Sequence, residues 1–357
     1  MAARKKVKVA IYYNEPPADE EEIQVEDVKE ENLEFETYFD IDQRAPLEEY
    51  REIRSTLNKN GFNAYTLNVN SDIHKLISSI EKEKPDVIFN FVEEFYDEPR
   101  LEMNVCALYE LFKIPYTGAP PFALAACQNK VHAKRILNAF EIKTPKFKLI
   151  RQIKTKYSHH LKFPIIVKPP FEDASSGIED ASIVRTNSEL NDRIAFIINE
   201  FSQPALIEEY IEGRELNVSV LGDKELKVLP ISEIDFTEVP DHIEKIVSYQ
   251  AKWDPMHEAY HKTIPICPAP LSKRVQHKVE KIALAAFRAM GVRDYARVDM
   301  RLAPDNSVYV LEINPNPDLS EGVAFMRSAE AAGFTYSDML NNIVNLALAR
   351  STNPNLK

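Results

Sequence analysis

A chain of 357 residues with 44% hydrophobic content can bury a sizeable core, divides most naturally into two or three domains, and is too apolar to be disordered. Its net charge of −12 comes almost entirely from residues 15–40, where twelve acidic residues stand against one lysine; with no basic arm or stripe, this argues against a nucleic-acid partner. Cys106, Cys127 and Cys267 are odd in number, widely spaced and in apolar contexts, which predicts buried free thiols in a reducing compartment rather than bridges or zinc ligands.

From the N-terminus, Lys6 to Tyr13 alternates as a strand and lacks the unbroken apolar stretch of a signal peptide. The acidic excursion 15–40 reads as a solvated loop. Leu47 to Lys59 then predicts a helix, Ala64 to Val69 a strand, Ser71 to Glu83 a helix and Asp86 to Val92 an apolar strand. Such alternation indicates a parallel sheet flanked by helices. Residues 1–118 are therefore expected to form an open α/β domain, with helices at Pro121 to Cys127 and Lys130 to Phe140 leading out of it. No run approaches membrane-spanning length, and with the free thiols and the missing signal-peptide stretch the expected place is the cytoplasm, off the membrane.

A central α+β unit, 119–207, is expected next. Phe163 to Pro170 is a short strand closed by prolines, Ala181 to Arg185 a strand antiparallel to it, and Thr186 with Glu189 a capping box that opens a helix to about Phe201. Ala205 to Ile211 is a strand crossing into a C-terminal α+β unit, 208–357, which holds a hairpin from Glu215 to Ile231 around Gly222-Asp223 and an amphipathic helix from Arg274 to Met290.

The last two predicted strands carry the most chemistry. Alternation puts Arg297, Asp299 and Arg301 on one side, and Val308, Val310, Glu312 and Asn314 together on one side of the next run, with turn residues 303–307 between. If the register sets Asp299 opposite Glu312, Arg297 falls opposite Asn314. Two carboxylates and a carboxamide, with no Cys or His among them, suit Mg²⁺ held jointly with phosphates, and the Arg297 fork suits developing negative charge. A solvated hairpin face would show the same alternation.

Phe171 to Ile178 joins two strands with small residues whose amides and hydroxyls can cover phosphate oxygens, and Lys168 stands at the strand end before it. The Walker pattern is absent. Of Glu208 and Glu209, neighbours on a strand, only one can face a buried site, and Glu208 is the expected one.

Val167-Lys168-Pro169, Ser175-Ser176-Gly177-Ile178, Glu208 to Val218, Tyr249-Gln250-Ala251-Lys252-Trp253, Ile266 to Ala269, Arg297-Val298-Asp299 and Glu312 to Pro317, in that order, resemble the ATP-grasp enzymes of the D-alanine:D-alanine ligase family over roughly Lys130 to Leu340. The resemblance implies that Lys130 and Lys168 contact ATP phosphates, with Ser175, Ser176 and Gly177 closing over them. It implies that Glu208 and the backbone of Tyr210 and Ile211 hold adenine, that Glu215 holds the ribose, and that Lys252 reaches the γ-phosphate. It also implies that Asp299, Glu312 and Asn314 bind two Mg²⁺ ions, a set that would accept Mn²⁺ too, that Arg297 steadies the tetrahedral intermediate, and that the chain is a homodimer.

The departures are in the substrate segments. The Gly-Gly turn and Glu-Arg-x-Val-Ser segment of the family are replaced by Tyr12 to Pro17, and the His-Gly-x-x-Gly-Glu-Asp-Gly loop by Phe91 to Glu98. Asp318 stands for a glycine and Gly322 for a serine, beside Ser320 and Glu321. The resemblance therefore implies an ATP-dependent carboxylate-amine ligase of amino acids or peptides, acting through an acyl phosphate in a rebuilt pocket, and does not carry D-alanine with it. A non-catalytic nucleotide-binding regulator or scaffold, and an acid-thiol ligase of the same fold, are the alternatives.

Overall fold

A computed structural model of the chain describes residues 6–15 and 46–352, so nearly all of the acidic excursion lies outside the described residues. The first three strands, β1 (Lys8–Tyr13), β2 (Asn63–Asn68) and β3 (Val87–Phe91), form a parallel sheet in the order β2-β1-β3, as the alternation of strands and helices predicts. Helices α1 (Pro46–Lys59) and α2 (Ile73–Glu83) are the crossovers. Asp72 caps α2 by accepting from the amides of His74 and Lys75, so the helix begins two residues later than its pattern suggests. Sequence periodicity did not separate out α3 (Glu102–Leu111), whose buried face is short; α4 (Pro121–Gln128) and α5 (Lys130–Ala139) follow where expected.

The central sheet is wholly antiparallel, in the order β4-β7-β5-β6, from β4 (Phe147–Ile150), β5 (Ile165–Lys168), β6 (Ile183–Val184) and β7 (Ala205–Glu209). Helix α6 (Asn187–Glu200) covers it through Leu190, Ile194 and Ile197. Thr186 accepts from the Glu189 amide, and the Glu189 carboxylate takes amide donors from both Thr186 and Arg185, the latter at 2.7 Å.

The C-terminal sheet contains β8 (Arg214–Gly222), β9 (Leu226–Val228), β10 (Ser232–Asp235), β11 (Ile264–Ile266), β12 (Asp294–Leu302) and β13 (Val308–Asn314). Its order is β11-β10-β8-β12-β13, with β9 paired to β8. Two short helices, α7 (Tyr249–Trp253) and α8 (Glu258–Lys262), lie between β10 and β11, and α9 (Lys273–Ala289) backs the sheet through Val279, Ala283, Ala286 and Phe287. The last helices, α10 (Ala324–Ala331) and α11 (Tyr336–Ala349), put Phe325, Met339, Leu340 and Ile343 against Val9, Ile11 and Phe89 of the N-terminal sheet. The chain's two ends thus share one apolar cluster, which holds the first sheet against the last.

Charge pins the same junction. Asp294, fully buried, accepts from Arg350 and from the Gly118 amide (2.9 Å), while Asn316 accepts from the Ala119 amide (2.9 Å). Gly118 has φ +87°, and a Cβ there would sit 2.3 Å from Asn316 Oδ1, so the turn that seats the segment after β13 needs glycine. Cys106 and Cys127 are buried free thiols as expected, but Cys267 is only half-buried, because it directly follows β11 at the edge of its sheet. Among the described residues no helix is long and apolar enough to cross a membrane.

Candidate active site

The register between β12 and β13 is the one the spacing required: Asp299 faces Glu312 and Arg297 faces Asn314. One detail of the alternation is overturned. A register shift between Asp299 and Met300 pairs Met300 with Val310, and Leu311 is the extra residue. Val308 and Val310 therefore turn into the core with Ile313, while Leu311, Glu312 and Asn314 line the cavity. The bulge lets Val308 and Val310 join Ile313 in the core while Glu312 and Asn314 still face the site, and it brings apolar Leu311 to the cavity side.

Asp299 is the centre of the cluster. Arg297 donates to it twice, from Nε at 2.7 Å and from Nη2 at 2.8 Å, and the amides of Asn314 and Asn217 each donate at 2.8 Å. Asn217 reaches it from the facing strand β8, where it is in register with Asp299. Glu312 accepts Lys130 Nζ at 3.0 Å. The Lys130 ammonium holds the Glu312 carboxyl down at about 2 against the opposing effect of burial, so Glu312 is ionised throughout the neutral range. Burial is the largest single influence on Lys130 and Arg297 and works to lower both, but the carboxylates around them, led by Glu312 and Asp299 respectively, together leave both raised.

These groups border a cavity of about 1040 Å³ between the three sheets. Of the residues expected at a nucleotide site, Lys168, Ser175, Glu208, Tyr210, Ile211, Glu215 and Lys252 line it, together with Arg297, Asp299, Glu312 and Asn314. Ser176 and Gly177 do not. Gly177, at φ +71°, packs under Phe201, where a Cβ would meet the ring at 2.8 Å, and its carbonyl accepts from Arg193, so it shapes the base of the loop and does not face the cavity. Lys130 reaches the cluster from behind, through Glu312 and the Glu172 carbonyl (2.9 Å).

The loop after β5 is fastened to the segment around α7. Ser175 Oγ donates to the Val247 carbonyl at 2.8 Å, the Tyr249 amide to the Ile178 carbonyl at 2.7 Å, and the Trp253 indole to the Ala174 carbonyl at 2.9 Å. Lys252 lies beneath this latch, its ammonium lowered by burial and by Arg297.

Sequence reasoning missed several participants. Arg301 donates to Glu215 (2.8 Å) and to the carbonyls of Gly213 and Lys245, between the rings of Tyr210 and Phe236. It was legible two residues beyond Asp299 on the same face. Burial raises Glu215 despite this partner. Lys134, one helical turn after Lys130, is fully buried against Glu208. Asn217, Glu49, Tyr50 and Glu102 reach the cavity from distant segments and had no local signal. Glu49 accepts from Ser320 (2.9 Å) and Glu102 from Asn316 (2.9 Å), which joins the N-terminal domain to the segment after β13.

Comparison with known proteins agrees with this architecture. Residues 136–345 match the family described as D-ala D-ala ligase C-terminus. An uncharacterized protein of Sinorhizobium fredii, y4sG, is 35% identical over 264 residues, 74% of this chain and 75% of that protein. The D-alanine–D-alanine ligase of Desulforudis audaxviator is 28% identical over 314 residues, 87% of this chain and 95% of its own length. In fold, the chain resembles the D-alanine–D-alanine ligase of Bacillus anthracis solved in complex with ATP, with a TM-score of 0.69 at 22% identity, covering 96% of this chain and 98% of that one. The chain belongs to the D-alanine–D-alanine ligase family and is an ATP-dependent ligase of the ATP-grasp type.

Proposed function

We propose that the chain joins the carboxylate of one amino acid or peptide to the amine of another, with an acyl phosphate between the two steps, and that its amine-side substrate carries positive charge. The observation that carries the ligase reading is the pairing of Asp299 with Glu312 and of Arg297 with Asn314 at the wall of a cavity large enough for a nucleotide and two small substrates. The first acid's carboxylate attacks the γ-phosphoryl group, ADP leaves, and the amine displaces phosphate from the acyl carbon. Phosphoryl transfer asks little covalent chemistry of the protein, so the residues act by positioning and by charge. Lys168 and Lys252 would hold phosphoryl oxygens, Glu215 the ribose, and Arg297 the oxyanion at the acyl carbon. The latch from Trp253 to Ala174 would keep water from the acyl phosphate. A regulator or scaffold without turnover is not favoured, since such a protein has no need of a buried guanidinium beside paired carboxylates.

The donor set fits a hard divalent cation. Asp299, Glu312 and the Asn314 amide offer oxygen only, the two carboxylates are neighbours in register, and each already has a cation against it in Arg297 or Lys130. When bound there, Mg²⁺, or Mn²⁺ in its place, would neutralise charge on the transferring phosphoryl group. Cytoplasmic location and a homodimer complete the proposal on the strength of the family resemblance.

The substrate end of the cavity differs in charge from the phosphate end. Glu15, Glu49, Glu93, Glu94, Glu102, Asp318 and Glu321 line it, with Arg327 as the cation among them. Such a surface repels a second free carboxylate and attracts ammonium groups, which favours a basic amino acid or an amine with an additional positive charge. A phosphate-release screen over pairs of basic, neutral and acidic amino acids, with and without Mg²⁺, is expected to give a signal that needs two co-substrates and is strongest with a basic one. Release with ATP alone would reduce the protein to an ATPase.

Glu93 provides a pH test of the same surface. Glu93 lines the open cavity with its side chain exposed at the mouth; desolvation by the surrounding wall, and then the carboxylates of Asp318 and Asp173, push its carboxyl up to about 7. Because the folded pKa lies above the unfolded one, the folded protein keeps a proton there that the unfolded chain releases. The resulting stabilisation is present at acid pH and is lost as pH rises through about 7. Glu93→Gln is therefore expected to be slightly more stable than the parent at pH 8 and to lose that advantage at pH 5, as read by thermal melts, the exposure of the side chain keeping the difference small. In the parent, KM for a cationic amine should fall as pH rises from 6 to 8. A fall of the same size in Glu93→Gln would remove Glu93 from the amine site.

A further inference from the structure

Glu208, the last but one residue of β7, stands at the wall of the cavity, 1% exposed, and its two carboxylate oxygens are treated differently. Oε2 faces two ammonium groups, Lys134 Nζ at 3.2 Å and Lys168 Nζ at 3.4 Å. Oε1 is buried and, among the described residues, receives no hydrogen bond. A buried carboxyl oxygen without a donor is costly, so its retention points to a donor brought by a ligand. The cavity wall near it carries Ile166, Ile211 and Leu311, apolar side chains suited to a flat ring.

Lys134 is the less expected of the two cations. It is fully buried in α5, where its other partner is Thr144 Oγ1 at 2.8 Å and its ammonium lies 5.9 Å from the Phe147 ring centre. It sits behind Glu208 and is not part of the cavity wall. Burial lowers it to about 8, against the raising effect of Glu208. An ammonium kept so deep contributes little by itself, and removing water from it is unfavourable, but it can fix the rotation of the carboxylate it touches.

We propose that Lys134, anchored by Thr144, is a positioning residue for nucleobase selection: it ties down Oε2 of Glu208 and so leaves Oε1 as a bare acceptor facing the base. A 6-aminopurine offers an N–H donor at that edge, whereas a 6-oxopurine offers a carbonyl oxygen, and two acceptors then face each other. The inference rests on reading the cavity as the nucleotide site and adds to it the residue that decides between purines.

Equilibrium titration of ATP and of GTP, with Mg²⁺ and without acid or amine, tests it on the full chain. The parent is expected to bind ATP at least about 100-fold more tightly than GTP, given a charge-assisted bond made in one case and an acceptor clash in the other. Lys134→Met, and Thr144→Val as the milder variant that alters no charge, should narrow that ratio about tenfold, chiefly by weakening ATP. Glu208→Gln, whose amide can turn a donor outward, should move the ratio further toward GTP. Lys252→Met, at the proposed phosphate end of the cavity and away from Glu208, should weaken both nucleotides alike and leave the ratio unchanged. A folded Lys134→Met and Thr144→Val that keep the parent ratio would overturn the inference and reduce Lys134 to packing. Failure of the parent itself to bind ATP would instead overturn the nucleotide reading of the cavity, and the inference with it.

Discussion

Asp299→Ala is expected to lower ligation by at least about 10³-fold, the largest effect of any single change at the site, because one carboxylate serves both the proposed cation and the Arg297 fork. Its oxygens take four donated hydrogen bonds, two from Arg297 and one each from Asn314 and Asn217. Alanine leaves a buried guanidinium and two amides without their acceptor, so a loss of stability of roughly 3 to 5 kcal/mol is expected alongside the loss of rate. Asp299→Asn separates the two effects. It keeps an acceptor for Arg297 and nearly the same volume but removes the negative charge, so it should fold with a melting temperature closer to that of the parent and remain almost inactive. The measurement is ADP release with both co-substrates present, beside a thermal melt of each variant. A folded Asp299→Asn enzyme with the parent rate would show that the paired carboxylates hold no cation in the reaction.

Arg297→Ala is expected to reduce turnover by about 10² to 10³ while ATP affinity changes little, since an oxyanion donor acts where charge develops and not on the bound nucleotide. The geometry sharpens this. Arg297 lies 18% exposed on the cavity side of β12, its fork aligned by Asp299, and the negative neighbours Asp299 and Glu312 keep it charged in spite of burial. Arg297→Lys should not rescue the rate, because an ammonium lacks the planar fork that holds both Asp299 oxygens along one edge and presents donors from the other. Equal losses in kcat and in ATP affinity would assign Arg297 to nucleotide binding instead, and a lysine variant at the parent rate would remove the need for a fork.

How far the sequence reached is clearest in the hairpin. A strand's period of two ties pairs to one another, so once Asp299 is set against Glu312, Arg297 must face Asn314, and the structure has that register. The same rule failed just before Glu312 in β13, where Val308 and Val310 were expected on its side. Periodicity assumes an unbroken ladder, and a bulge changes the phase without leaving a mark in composition. The loop from Phe171 to Ile178 divides in the same way. Its small residues announced a loop able to cover phosphate, but whether each faces the cavity depended on what lay beneath it, and Phe201 claimed the place of Gly177.

By itself the sequence determined the alternation of strands and helices in the first domain, the oxygen-only character of the paired strands, and the ordered blocks that mark the family, because each of these is local or a matter of spacing. Only the tertiary structure decided which carboxylates share the substrate end, since Glu49, Glu93, Glu102 and Asp318 come from four separated segments held together by the packing of α10 and α11 against the first sheet. It likewise decided that Lys134 is a buried partner of Glu208 and not another solvated helix lysine. The physical reason is one of range. Hydrogen-bonding periods and turn preferences act over a few residues and are written in the chain, whereas desolvation and charge pairing depend on neighbours that folding alone brings near.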